Sequence, residues 1–521
     1  MPVGAFAVLG RLAGVPDPDL LTPATSDWTV RADALADVLA DLDPDDLTLA
    51  LPVTSEGMPP RGAVGAALAL VGLDADVVLA TYEPSAKAGD TTTVPLPPGE
   101  RAARRVLLVG LGEGRPEDLR AAGAAVGRAG RGRQAVVTTV GAGAAAGAQA
   151  AYAEGLALGG YSPPSWRSER SQAPKPPAAQ VVLVGRYDTE AVHRAVVRAR
   201  ATMLARNLAV VPSNIKNPAW MAAQARTLGR RHGLDVTVWN ERDLAAQGFG
   251  GLLAVGGGSA TPPRLVQLDY VPDGATAKTP RIVLVGKGIT FDTGGLDIKP
   301  AEGMLAMKTD MSGSAIVLAV LAACRELEVP VRVTGLLALA ENAVGGASYR
   351  PGDVLTQYGG RTVEIGNTDA EGRIVMADAL AYADLELDPD VLLDIATLTG
   401  AARLALSRSM APVYATDDRL GATLVAAGEA TGEPLWPFPL VEDYRAMLDS
   451  DVADVGHIAG LGSGGGSITA ALFLREFAGA RRWAHLDIAG VGRSDVDRGV
   501  LTKGGTGFGA RLLLRWLEEM G

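Results

Sequence analysis

The chain has 521 residues, 48% apolar and 21% charged, with a formal net charge of −11. That length predicts two domains, and the composition argues against extensive disorder. The negative balance argues against a nucleic-acid surface, which needs clustered Lys and Arg, and the single Cys324 excludes an intrachain disulfide and suits a reducing cytoplasm.

Met1–Arg11 lacks a basic start and a long apolar run, so no secretory signal is expected. No stretch of about 20 strongly apolar residues follows. A soluble cytoplasmic protein with no membrane partner is the expectation.

Residues 1–186 alternate strand-like runs (Leu47–Val53, Val77–Leu79, Val106–Val109, Val181–Val184) with Ala-rich helical segments. They predict a smaller N-terminal α/β domain suited to oligomer contacts. Val106–Gly114 resembles the start of a dinucleotide fold, but its G-x-G-x-G spacing favours a simple strand and turn. Arg128, Arg131 and Arg133 read as a solvated face, and Ser165–Pro177 as an exposed loop. The Arg- and Ala-rich helix that follows is taken as the connector, 187–208.

Residues 209–521 predict a larger catalytic α/β domain. Strand candidates are Leu265–Tyr270, Arg281–Val285, Val331–Leu339, Thr362–Ile365, Val391–Ala396 and Trp483–Ile488. Helices are expected over Ser314–Leu327, Arg373–Asp384 and Ser467–Phe477. Strands alternating with helices imply a mostly parallel central sheet flanked by helices, with ligands at the carboxyl ends of its strands. Gly256–Gly258 and Gly462–Gly466 read as loops rather than phosphate cradles.

Two segments carry unusual chemistry. Gly286–Pro300, continuing to Asp310, and Gly366–Arg373 are rich in Gly and carboxylates, each between an apolar strand and an apolar helix. Asp292, Asp310, Asp369 and Glu371 would repel one another unless cations intervene, and two divalent ions would balance their charge. Lys287 beside such ions would tend towards its neutral amine, a possible nitrogen ligand. Lys299 and Arg373 would then face whatever anion forms during a reaction, which suits attack of activated water on a carbonyl. Surface turns are the bland alternative for any one of these residues, but not for all seven together. His193, His232, His457 and His485 form no His-Glu-x-x-His pair, and no Gly-x-Ser-x-Gly elbow occurs. His485 and Asp487 share a strand face, where structural hydrogen bonding is preferred to a catalytic dyad.

The strings Val285–Pro300 and Asn367–Arg373 closely resemble the signatures of the leucyl (cytosol) aminopeptidases. The resemblance continues through Arg350–Asp353, Ala396–Gly400, Ser450–Asp454, Gly466–Ala470 and His485–Gly490, covering about 200–521. It implies that Lys287, Asp292, Asp310 and Glu371 hold one metal ion, and Asp292, Asp369 and Glu371 a second. Lys299 would bind the substrate carbonyl oxygen, and Arg373 a bicarbonate ion. Met307, Asn367, Thr397, Leu398, Gly400 and Ala489 would bind substrate, with the terminal amine on one metal. Zn2+ or Mn2+, a homohexamer, and release of leucine and other apolar N-terminal residues from peptides are implied too. Gly492 lies where some members carry a bulkier apolar side chain, which would open the pocket floor to Met or Phe. A dedicated dipeptidase and a DNA-binding hexamer are the competing expectations, the latter disfavoured by charge.

Overall fold

The computed structural model describes residues 21–54, 62–97, 102–168, 174–460 and 463–520. Met1–Arg11, residues 169–173 of the Ser165–Pro177 stretch and Gly462, read above from sequence, lie outside the described residues.

The N-terminal part forms a six-stranded sheet from β1 (Asp27–Arg31), β2 (Leu47–Val53), β3 (Thr91–Pro95), β4 (Arg105–Gly110), β5 (Ala135–Thr138) and β6 (Gln180–Val184). Its order is β1-β6-β5-β2-β4-β3, parallel except at the β3 edge. Helices α1 (Pro116–Gly130) and α2 (Ala146–Gly160) pack on each other through close glycine contacts. The strand expected at Val77–Leu79 is instead within a helix, Ala75–Tyr82. Asp74 explains the difference, because its side chain accepts from Val77 N at 3.0 Å and caps a helix where β-branched residues alone suggest a strand. The turn after β4 holds no phosphate cradle. Asp118 takes the amides of Glu113 and Arg115 at 3.2 and 3.3 Å.

One helix, α3 (Thr189–Val210), leads to the larger unit. There β7 (Asp235–Trp239), β8 (Arg264–Tyr270), β9 (Arg281–Asp292), β10 (Arg332–Asn342), β11 (Val391–Ala396), β12 (Ala411–Ala415), β13 (Leu435–Pro437) and β14 (Arg482–Asp487) form one sheet. Its order is β13-β12-β14-β11-β9-β10-β8-β7. The central strands β14, β11, β9 and β10 run parallel, while β8 and β7 add antiparallel at one side.

Helix α4 (Ser312–Cys324) is buried over its whole length between β9, β10 and α3, which is why it is apolar all round. The helical run Ala301–Cys324 is long and apolar enough to cross a membrane by composition, contrary to the sequence reading. Yet 72% of its apolar window is buried inside the fold, as in a core helix. The opposite face of the sheet is covered by α5 (Glu371–Tyr382) and the helix Gly466–Arg475.

A buried charge network ties the two parts together. Arg120 on α1 and Arg511 on α7 (Ala510–Glu518) donate to the same Glu154 oxygen on α2, at 3.0 and 3.1 Å. Arg511 also donates to Glu433 at 3.0 Å, and Arg120 to Ala430 O at 2.7 Å.

Candidate active site

The site forms where the central parallel strands end. Strand β9 runs to Asp292 rather than stopping at Val285, so Lys287 and Asp292 lie on a strand and not on the loop expected from sequence. In a regular strand residues five apart face opposite sides. Here Ile289 pairs with Ala340 and Asp292 with Asn342, so β9 gains one residue on β10. That irregularity turns both side chains into one cleft.

Two close approaches complete the frame. A Cβ on Gly313 would lie 2.1 Å from Ile395 O and 2.7 Å from Lys287 N, so only glycine lets the start of α4 meet β9 and β11. This crossing follows directly on Asp310. A Cβ on Gly372 would lie 2.5 Å from Lys287 Cε, so the glycine inside Asp369–Arg373 makes room for the lysine stem.

Lys287 Nζ lies 2.9 Å from Asp310 Oδ2 and 2.9 Å from Glu371 Oε1, and donates to Thr397 O at 3.0 Å. Lys299 Nζ lies 2.8 Å from Asp292 Oδ2 and 2.5 Å from Asp369 Oδ1. Asp292, Asp369 and Glu371 each present an oxygen within 4.8 Å of the others. The ion pairs are close but poorly aligned. Both oxygens of Glu371, Asp310 Oδ2 and Asp369 Oδ1 are buried and accept no aligned hydrogen bond from the described residues. Buried acceptors without donors are costly unless a cation meets them, so this donor set fits divalent ions.

The electrostatics agree. Burial opposes the Lys287 ammonium, but Asp310, Glu371 and Asp292 outweigh it and raise its pKa above the ordinary lysine value. Lys299 is raised in the same way, against burial, chiefly by Asp292 and Glu371. Burial, then Asp292, pushes Glu371 up to about 8. Burial pushes Asp310 up to about 6 while Lys287 pulls it back. Four carboxylates thus share two ammonium groups, which leaves charge for further cations to balance.

The cluster opens into a cleft of about 400 Å³. Of the residues expected to bind substrate, Met307, Thr397, Leu398, Gly400 and Ala489 line it, and so does Gly492. Asn367 does not. Its side chain accepts from Asp369 N at 2.7 Å, and its carbonyl meets His457 Nε2 at 2.8 Å, so it shapes the loop instead. Arg373 stands apart from the cleft and lines a smaller cavity of about 230 Å³. It donates from Nη1 to His457 O at 2.8 Å, while its buried Nε has no partner among the described residues and could donate to an anion. Burial brings Arg373 down to about 10, so it stays charged near neutrality.

Asn342 escaped the sequence reading, as did the partners of Asp487, His485 and His457. Asn342 donates to Asp292 Oδ1 at 2.9 Å and to Thr368 O at 3.0 Å. Asp487 accepts from the amides of Leu398, Thr399 and Ala489, each at 3.1 Å, and fixes that wall of the cleft. His485 meets Asp394 at 2.5 Å and not Asp487, so the two form no dyad. His457 receives Gly366 N at 3.1 Å, and burial beside Arg373 lowers its pKa to about 4, keeping it neutral. The available signal was position: Asn342 and Asp487 are polar residues at the carboxyl ends of apolar strands.

The catalytic-domain model of the cytosol aminopeptidase family matches residues 203–514, and that family's N-terminal domain model matches 50–170. A Leifsonia xyli protein named "Probable cytosol aminopeptidase" is 44% identical over 437 residues, 81% of this chain and 86% of its own length. One of the same name from Roseiflexus castenholzii is 42% identical over 449 residues, 84% and 91% of the two chains. A third, from Chlorobium limicola, is 47% identical over 317 residues, so the match spans 61% of this chain and 62% of that relative. Among solved structures, the bottromycin maturation enzyme BotP in complex with Mn superposes with a TM-score of 0.78 at 37% identity. That match covers 91% of this chain and 99% of BotP.

Proposed function

Because the chain belongs to the cytosol aminopeptidase family, we propose that it is a two-metal aminopeptidase releasing leucine and other apolar N-terminal residues from peptides. One observation carries this reading: the buried carboxylate oxygens of Asp310, Asp369 and Glu371 that accept no aligned hydrogen bond. Lys287, Asp292, Asp310 and Glu371 would hold one divalent ion, and Asp292, Asp369 and Glu371 the other, as Zn2+ or Mn2+. The similar structure in complex with Mn and the acidic triad support a divalent ion. Ions in such a site lower the pKa of a bound water into the neutral range and polarise a carbonyl.

The chain's own groups then have distinct tasks. Lys299, at the cleft wall, would donate to the substrate carbonyl oxygen and hold the charge that grows there. Arg373, through its unpartnered Nε–H, would hold a bicarbonate ion as proton acceptor. Lys287 would lose its proton before serving as a ligand. Met307, Thr397, Leu398, Gly400 and Ala489 would receive the N-terminal side chain. Asn367 would act at one remove, by holding the Asp369 backbone. With no side chain at Gly492 the floor stays open to Met or Phe. A Cβ there would lie 2.9 Å from Ile488 O and 3.1 Å from Thr397 Cγ2, so Gly492→Met should favour smaller residues over Phe; unchanged selectivity would overturn that point.

The deciding experiment strips the protein of metal and resupplies Zn2+, Mn2+ and Co2+ in turn, with cleavage of a leucine anilide as readout. If no ion restores cleavage while the protein stays folded, the proposal fails. We further place the protein in the cytoplasm, as the relatives' name has it, with residues 1–186 as a domain making contacts within a homohexamer, 187–208 as a connector and 209–521 as the catalytic unit. A monomeric mass by light scattering would exclude the hexamer.

A further inference from the structure

The cleft that holds the acidic cluster also carries cations on its wall. Its wall carries three guanidinium groups, Arg403, Arg408 and Arg493, against one carboxylate outside the acidic cluster, Glu302. The position of these arginines is informative. Arg403 stands on α6 (Gly400–Leu406), one turn after Gly400, and Arg493 follows Gly492 on the stretch that begins at Ala489. They therefore extend the two segments assigned above to the N-terminal side chain.

Asp495 orients two of them. It lies 2.8 Å from Arg408 Nη1 and 3.1 Å from Arg493 Nη2. A guanidinium has five N–H donors, so one shared carboxylate leaves both arginines with donors to spare. Arg408 and Arg493 keep 36% and 35% of their side-chain surface exposed, so an incoming carboxylate can pair with them without being fully desolvated. A planar, partly pre-oriented guanidinium is the side chain best matched to a carboxylate. A pocket serving apolar residues alone has no use for this group of cations on its wall.

We infer that the cleft also takes acidic N-terminal residues, glutamate or aspartate, whose carboxylate pairs with Arg493 and Arg408 beyond Gly492. The inference rests on the proposed position of the side-chain subsite. Arg403, exposed at the cleft edge, adds to the attraction. Asp495 competes with the substrate for the same donors and so tempers the preference. The pairing is between partly solvated charges, so it weakens as salt rises.

The test compares kcat/KM for matched N-terminal glutamate and leucine anilides on the metal-loaded protein. The glutamate substrate should be turned over, and its rate relative to leucine should fall on the order of tenfold in Arg408→Ala/Arg493→Ala. The corresponding double Lys variant should recover part of the ratio, and Asp495→Asn should raise it. A loss of stability alone would lower both rates and leave the ratio unmoved. The inference is overturned if leucine is released and glutamate is not, or if the ratio stays within about twofold in both the Ala and Asn variants. Preference for N-terminal lysine, abolished by Glu302→Gln, would also overturn it and assign the recognition to that carboxylate. Cleavage of neither substrate with any ion would instead defeat the two-metal reading on which it stands.

Discussion

Asn342 is both the register partner of Asp292 and the side-chain donor to its Oδ1, at 2.9 Å. The same amide group reaches Thr368 O at 3.0 Å, so one residue ties strand β9 to the loop bearing Asp369. Asn342→Ala should therefore loosen two ligand-bearing segments together. A drop in metal affinity of about 10- to 100-fold is expected, measured by competition with a chelating dye. Affinity equal to wild type would show that Gly294 N, the other donor to Asp292 Oδ1, suffices there.

Lys299→Ala and Arg373→Ala separate binding from rate. Neither belongs to the proposed ligand set, so both variants should retain their ions on elemental analysis. Each should lose on the order of 10²- to 10³-fold in kcat, the scale for removing one donor to a developing charge. Wild-type turnover in either variant would remove that residue's role.

The ion-free site should respond to pH in a defined direction. Glu371 at about 8 and Asp310 at about 6 lie above ordinary carboxylates, so the folded protein binds protons that the unfolded chain releases. Stability contributed by these groups is present below the unfolded carboxyl pKa and is lost as pH rises through their folded values. The stripped protein should thus melt at lower temperature as pH goes from about 5 to about 8. Metal affinity should move the other way, because Lys287, Glu371 and Asp310 must all give up protons to bind an ion. Calorimetry in buffers of different ionisation enthalpy would detect the release; no proton release would rule out Lys287 as a ligand.

Gly372→Ala tests the close approach rather than the charges. Its new methyl group would sit 2.5 Å from Lys287 Cε, and the lysine is hemmed in by Asp310, Glu371 and Thr397. Overpacking of this kind costs about 1–3 kcal/mol, and here it falls on a proposed ligand. Thermal melting should show the loss, and metal titration a weaker first site. An unchanged melting temperature would mean that α5 shifts freely.

The acidic and basic residues of the site were legible because they come as a pattern, with carboxylates and glycines packed between apolar strand and apolar helix. Lys287, Asp292, Lys299, Asp310, Asp369 and Glu371 do meet at the sheet's carboxyl edge, whereas Arg373 lies in the adjoining cavity. The extra residue in β9 was not legible, because it depends on how β10 pairs and no local signal marks it. Asn342 and Asp487 are single polar residues whose main partners, Asp292 and Thr368 for the one and Leu398 and Thr399 for the other, lie far along the chain, so spacing does not reveal those pairings. The edge strands β1, β3, β7 and β13, and β12 next to an edge, were missed for another reason. They are short, and several alternate weakly, so their strand character comes from pairing with neighbours. Val77–Leu79 failed because a helix cap outweighed β-branched content.

The shared Glu154 has a consequence for how the molecule comes apart. Arg120 and Arg511 reach one carboxylate oxygen from opposite halves, and all three side chains are buried. Separating the halves would break the Arg511–Glu154 and Arg120–Ala430 bonds and bring the buried charges of both halves to water at once. The two sheets should therefore melt as a single cooperative transition in a calorimeter. Glu154→Gln should lower that transition by about 3–5 kcal/mol, the cost of stranding buried charge. Two resolved peaks in the wild-type protein would show that the halves are independent, and would make the N-terminal sheet a removable accessory rather than part of one thermodynamic body.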